Sequence, residues 1–192
     1  MAVPTGRYQL GAESGGRITL HTYRDGLAAT AGHDLLIDLP RWSGELTVDE
    51  AGTVQALAAH IDVGALVIRE GTGGIKPLTD RDRREIASTA RRLLATDRYP
   101  EAVFTATGFG SSGDSAAIEG NFSLRGQTRP LRLQVTRSAD GSYAATGTVV
   151  QSAYGIKPYT GFFGALKVRD TVDIDVAGIR LGAMVPAGGN GE

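Results

Sequence analysis

The chain has no cysteine among its 192 residues. Disulfides, thiolate nucleophiles and cysteine-held metal sites are therefore excluded. Histidine is scarce as well: only His21, His33 and His60 occur, with no HxH or HExxH spacing. A metal centre would have to gather histidine and carboxylate ligands from separate strands, so no metal and no cofactor are expected. The nucleophile-elbow pattern GxSxG and the phosphate loop GxxxxGK[ST] are both missing. Charge of one sign is not in excess: the net charge of −1 gives no global attraction to nucleic acid or to an anionic membrane. No stretch reaches the ~20 apolar residues of a membrane span. The first residues, MAVPTGRYQLGAESGG, lack the basic start and apolar run of a secretory leader, so a cytoplasmic location is expected.

What is abundant is glycine, 27 residues spread through the chain, which points to many tight turns and thin strands. Short segments alternate apolar and polar residues, the period of a half-buried strand. Ile18 and Leu20 alternate in Arg17–Thr22. Leu35, Ile37 and Leu39 share a parity with His33 in a segment running from Leu27, interrupted by Gly32 and stopped by Pro40. Leu57, Ala59, Ile61 and Val63 line up next. Phe104 lies in residues 102–107, Phe122 and Leu124 follow Ile118, and Leu131 and Leu133 precede Val135. Val172, Ile174 and Val176 close the series. Asp25-Gly26, Gly113-Asp114, Gly126-Gln127-Thr128 and Asp140-Gly141 read as turns. Residues 64–79 read as loop.

One amphipathic helix is expected over about 80–96. Thr79 or Asp80 can cap it, and Ile86, Ala90, Leu93 and Leu94 form an apolar stripe. Its arginines either face phosphates or form a solvated face with pairs such as Arg81–Glu85. The reading is a single antiparallel β-barrel over 8–181, of eight strands or nine strand segments, with flexible tails at 1–7 and 184–192. Such a barrel is just wide enough to be filled by side chains or to hold one slim ligand.

A phrase occurs twice, about eighty residues apart: GIKPLT at 74–79 and GIKPYT at 155–160. Turn chemistry explains Gly and Pro but not Lys. Either Lys76 and Lys157 meet over a shared ligand, or the phrases are matched exits from one rim. The second copy opens an aromatic loop containing Tyr154, Tyr159, Phe162 and Phe163, which either lids an apolar pocket or forms a small cluster of its own. His33 either addresses a ligand at the barrel mouth or donates a hydrogen bond between strands. His21 and His60 read as ordinary surface or cross-strand residues.

Four stretches together bring a family into view: Tyr8 with Arg17-Ile18-Thr19-Leu20; Ala31-Gly32-His33-Asp34-Leu35 followed by Trp42-Ser43-Gly44; the helix leading into Asp97-Arg98-Tyr99-Pro100 and Phe104; and Ile118-Glu119-Gly120-Asn121-Phe122-Ser123-Leu124-Arg125-Gly126-Gln127-Thr128-Arg129-Pro130. In their order and spacing over residues 8–181 the chain resembles the YceI-like family of lipocalin-like barrels. The resemblance implies a non-enzymatic protein that binds a polyisoprenoid or related long lipid, and often a homodimer. Two features depart from the family: many members carry an export signal, and Glu13-Ser14-Gly15-Gly16 stands where the opening strand often has His-Ser. On this reading Ile18, Leu20, Leu35, Ile37, Phe104, Phe122, Leu124, Leu131, Leu133, Phe162 and Phe163 surround the lipid. His33, Lys76, Lys157 and Tyr159 address its headgroup. The alternatives are an enzyme with His33 as general base, with Lys76 or Lys157 stabilising an anion, or a dimerising module that uses loop 154–163.

Overall fold

The computed structural model describes residues 4–112 and 115–182, and within them all side chains except those of residues 111, 112, 115 and 162. The expected turn at Gly113-Asp114 and the tail from 184 lie outside the described residues. The strands are β1 (Gly6–Gly11), β2 (Arg17–Thr22), β3 (Arg24–Asp25), β4 (Asp34–Asp38), β5 (Trp42–Val48), β6 (Val54–Asp62) and β7 (Val67–Thr72). After the helix α1 (Asp80–Leu94) come β8 (Glu101–Ser112), β9 (Ser115–Leu124), β10 (Gln127–Arg137), β11 (Tyr143–Val150), β12 (Thr160–Gly161), β13 (Leu166–Val168) and β14 (Thr171–Ile179).

Eleven strands form one antiparallel, curled, barrel-like sheet in the order β1-β5-β6-β8-β9-β10-β11-β14-β2-β4-β7, and β12-β13-β3 form a small second sheet. The count is eleven rather than eight, and the cause is local. β1 runs on into β2 across residues 12–16, β4 into β5 across 39–41, and β6 into β7 across 63–66. Each break joins a strand near one end of the sheet order to a strand near the other. Leu39 N donates to Ile18 O at 3.0 Å and Asp62 N to Arg41 O at 2.9 Å, so the pairing continues through the break at 39–41 on both of its sides.

Other corrections are also local. The segment from Leu27 is not strand at its start: residues 26–31 make a turn and a short 3₁₀ piece, and β4 begins only at Asp34. Ala28-Ala29-Thr30-Ala31 offers no alternation to hold a ladder. Residues 67–72, read as loop, form β7, held by the buried Ile68 opposite Ile37. β1 starts at Gly6, inside the tail assigned to 1–7.

Side-chain parity sets the inside. The buried core joins Ile18, Ile37, Ile61, Phe104, Phe122, Leu124, Leu131 and Val149, with Leu20, Leu35, Leu133 and Ile174 packed against it. Inward glycines let the sheet curl tightly: a Cβ on Gly120 would stand 2.5 Å from the Phe104 ring and 2.6 Å from Thr105 O, so the ring covers bare backbone.

Helix α1 begins in a capping box. Thr79 Oγ1 accepts from Asp82 N, and Thr79 N donates to Asp82 Oδ2 at 2.8 Å. Ile86, Ala90, Leu93 and Leu94 pack on the core. Arg81 pairs with Glu85 and Arg83 with Asp80. Arg91 reaches the carbonyls of Gly64 and Leu66, both at 2.8 Å. The arginine face is thus largely committed to ion pairs and to fastening the helix.

Thr79→Ala is expected to cost about 1 kcal/mol of stability, read by denaturant unfolding. The Asp82 carboxyl is held below its usual range, first by the Thr79 hydroxyl and then by the Thr79 backbone N–H. A lowered carboxylate pKa contributes stability above its unfolded value and loses it as pH falls through the folded one. The wild-type cap therefore weakens in acid, and the difference between wild type and Thr79→Ala should narrow there. An unchanged difference at acid pH would refute this account of the cap.

Candidate functional site

The inward faces do not fill the space they surround. They enclose a cavity of 1830 Å³, well above the ~300–1,000 Å³ of most small-molecule pockets. Its wall carries Ile18 and Leu20 from β2, Leu35 and Ile37 from β4, Phe104 from β8, Phe122 and Leu124 from β9, and Leu131 and Leu133 from β10. Two polar atoms on wall residues, Thr22 Oγ1 and Trp42 Nε1, are buried with no hydrogen-bond partner among the described residues.

The sheet is antiparallel throughout, so the segments that follow β2, β7, β9 and β11 leave the same end. That end is rich in loops and carries one group of the wall's polar residues; a second, with Thr53, Arg137, Ser138 and Tyr143, lies at the hairpin end. The His33 ring lies against Gly74, where a Cβ would stand 2.4 Å from Nε2, and Nε2 is 2.8 Å from the Lys76 carbonyl. Because a carbonyl only accepts, His33 donates from Nε2. It clasps the first GIKP loop to the start of β4, rather than bonding between strands. Arg24 joins the cluster: its backbone N donates to Asp34 Oδ1 at 2.8 Å and its Nη1 to Gly32 O at 3.0 Å. Lys76, Tyr159 and Lys167 complete this side of the wall.

Arg24 and Lys167 were not anticipated as site residues. Asp25-Gly26 reads only as a hairpin signal, and the pairing of β13 with β3 that brings Lys167 opposite Asp25 has no sequence signature.

The two copies of the repeated phrase share a backbone requirement and then diverge. Gly74 and Gly155 are both left-handed, at φ 72° and 67°. The next residues part company: Ile75 is 79% exposed and Ile156 only 3%. Lys76 belongs to the cavity wall, whereas Lys157 is exposed and outside it. Both phrases leave the loop-rich end.

Within the aromatic loop, Tyr154 is buried edge-on against Phe122, with ring centroids 5.8 Å apart, and burial pushes its hydroxyl pKa up. Tyr159 stands at the mouth. Phe163 is fully exposed, with a left-handed backbone (φ 55°), and forms no part of the wall. The Phe162 side chain lies outside the described residues.

Residues 27–178 match the family model of the YceI-like domain. The chain belongs to the YceI-like family. Curated relatives of this YceI-like chain include UPF0312 proteins of Pseudomonas savastanoi pv. phaseolicola and Pseudomonas syringae pv. tomato. They are 24% and 25% identical over 139 and 138 residues, and each alignment covers 67% of this chain and 68% of the relative. Among solved structures, the Burkholderia cenocepacia protein BcnA superposes with a TM-score of 0.63 at 16% identity, covering 87% of this chain and 97% of BcnA. The Campylobacter jejuni YCEI protein superposes with a TM-score of 0.55 at 12% identity, covering 77% and 84%. At such identities the structures establish the shared fold of the YceI-like barrel. Among the described residues of this YceI-like chain there is no group of three or more His, Cys, Asp or Glu side chains able to hold a metal ion.

Proposed function

We propose that the protein binds one long apolar chain, a polyisoprenoid or similar lipid, inside the cavity and carries or sequesters it without chemical change. The observation that carries this reading is the apolar wall that continues from the loop-rich end (His33, Leu35, Tyr159) to the hairpin end (Val54, Ser138, Tyr143) around 1830 Å³. An eleven-residue strand such as β10 extends ~36 Å at ~3.3 Å per residue, a length suited to an extended chain rather than a compact substrate. Burial of apolar surface at ~25 cal/mol per Å² supplies the affinity without specific contacts. Arg24, His33, Lys76, Tyr159 and Lys167 then offer a polar end group hydrogen bonds and positive charge at the mouth.

The test is mass spectrometry of an organic extract from protein purified from its native host, with uptake of added prenyl chains measured in parallel. One apolar chain per protein is the expected result. Protein that arrives empty and takes up no prenyl chain would overturn the reading.

A further inference from the structure

The chain contains three lysines, Lys76, Lys157 and Lys167, against seventeen arginines. All three stand at the loop-rich end: Lys76 on the loop after β7, Lys157 and Lys167 on the connection from β11 to β14. Four large apolar side chains are exposed on these loops and on the β3–β4 turn beside them. Leu27 is 100% exposed, Phe163 113%, Ile75 79% and Tyr159 42%. Val67 and Phe109 are exposed elsewhere, but singly, as is normal for a soluble surface.

The projecting residues belong to one continuous feature. Ala28 N donates to Ala165 O at 2.9 Å, and a Cβ on Gly26 would stand 2.4 Å from that same oxygen, so the Leu27 turn rests on the loop that carries Phe163. Arg24 and Lys167 sit in the small sheet beneath that turn. Arg24 also packs onto Gly73, beside Ile75. Phe163 keeps a fully exposed aromatic side chain in a left-handed backbone that bulky residues rarely adopt.

We infer that this rim docks on an anionic phospholipid surface, with Leu27, Ile75 and Phe163 entering the interface and the three lysines reaching lipid phosphates. Lysine suits such a surface, because its compact charge rides on a flexible apolar stem that lies along hydrocarbon while the ammonium stays in the headgroup layer. The nearby carboxylates do not cancel the charge. Asp82 closes the helix cap, Asp80 and Glu85 pair with Arg83 and Arg81, Asp34 holds Arg24, and Asp170 accepts from Ser152. Asp25 remains, opposite Lys167. Among the described residues no lysine is held in an ion pair. A second copy of the chain is the poorer occupant, because a two-fold interface through this patch would bring lysines against lysines. The inference rests on the carriage reading in one respect: docking here sets the mouth of the cavity against the membrane that holds the cargo.

The test is flotation of delipidated, full-length protein with vesicles of equal parts phosphatidylcholine and phosphatidylglycerol, and with phosphatidylcholine alone. The protein should float with the anionic vesicles and be released by salt. Lys157→Gln should lower partitioning about five-fold, and Leu27→Ser with Phe163→Ser ten-fold or more. None of these three residues lines the cavity, so uptake of a prenyl chain from a detergent-free dispersion should be unchanged, as should the melting curve.

Failure of the wild type to float would overturn docking, as would flotation of the Leu27→Ser/Phe163→Ser variant equal to wild type. So would a Phe163-dependent dimer with no vesicle binding. Cargo uptake without flotation would sink docking alone; flotation without cargo uptake would sink carriage alone.

Discussion

Tryptophan at Ala59 and Ala145 together will cut retention of a long-chain ligand about fifty-fold and leave the protein at least as stable. Both alanines are on the cavity wall, Ala59 on β6 and Ala145 on β11, with β8, β9 and β10 between those strands in the sheet. Each indole therefore enters the cavity from a different side; Ala59 also touches the core at its base, and the added ring extends from there into the open volume. Overpacking, which normally costs 1–3 kcal/mol, does not apply where a side chain meets empty volume. A ligand that loses the room of about three methylenes loses ~0.8 kcal/mol for each, or ~2.4 kcal/mol in all, and at ~1.4 kcal/mol per decade that is about fifty-fold. Competitive uptake of a fluorescent prenyl chain, with a melting curve on the same sample, would measure both quantities. Undiminished retention in a variant of unchanged stability would mean that the ligand does not occupy this cavity.

The wall that such a variant would fill is legible in the sequence. Alternation places Ile18, Leu20, Leu35, Ile37, Phe104, Phe122, Leu124, Leu131 and Leu133 on one face, and all of them belong to the cavity wall. The helix is legible because its cap, stripe and arginine pairs are local, all within Thr79–Leu94. What alternation cannot report is a strand with little to bury. β7 has one buried side chain, Ile68, followed by Arg69, Glu70 and Gly71 before it ends at Thr72, and its status depends on pairing with β4. The eleven strands in place of eight arise from breaks of three to five residues; Pro40 marks the one between β4 and β5, but no break shows in the sequence that the strands on its two sides pair at opposite ends of the sheet order.

The rim is half legible. The doubled phrase marks Lys76 and Lys157, but nothing in it distinguishes the copy whose isoleucine is exposed from the copy whose isoleucine is buried. Lys167 and Arg24 reach the rim through β13 and β3, which pair over only two residues. The signal that unites the lysines is compositional: a chain this rich in arginine uses lysine only where the loops gather.

Leu66→Ala will lower stability by about 2–5 kcal/mol. Leu66 is the one large side chain among the described residues that is essentially sealed, at 1% exposure. It ends the break between β6 and β7, where the chain leaves its pairing with β5 and β8 and takes up β4. A ladder that changes partners cannot hold its own backbone through the change. Two carbonyls at the break, those of Gly64 and Leu66, are satisfied instead by Arg91 from α1, and the Leu66 side chain packs in the core that α1 covers. Truncation leaves a void under a helix that is fixed at its cap and at Arg91, so the site can collapse only in part, which places the cost in the upper range for leucine.

At about 2–4 °C per kcal/mol for a chain of this size, the melting temperature should fall about 4–20 °C. Val67→Ala, the next residue along and 51% exposed, should move it far less. If the two substitutions proved equal, Leu66 would not be what anchors the handover. The contrast also separates the seam from the cargo space: Leu66 borders the cavity too, but it is sealed and sits where the chain changes partners. Leu66→Ala weakens the seam that lets the sheet curl, so its cost appears in unfolding. Ala59→Trp with Ala145→Trp leaves that seam intact, and its cost appears in binding.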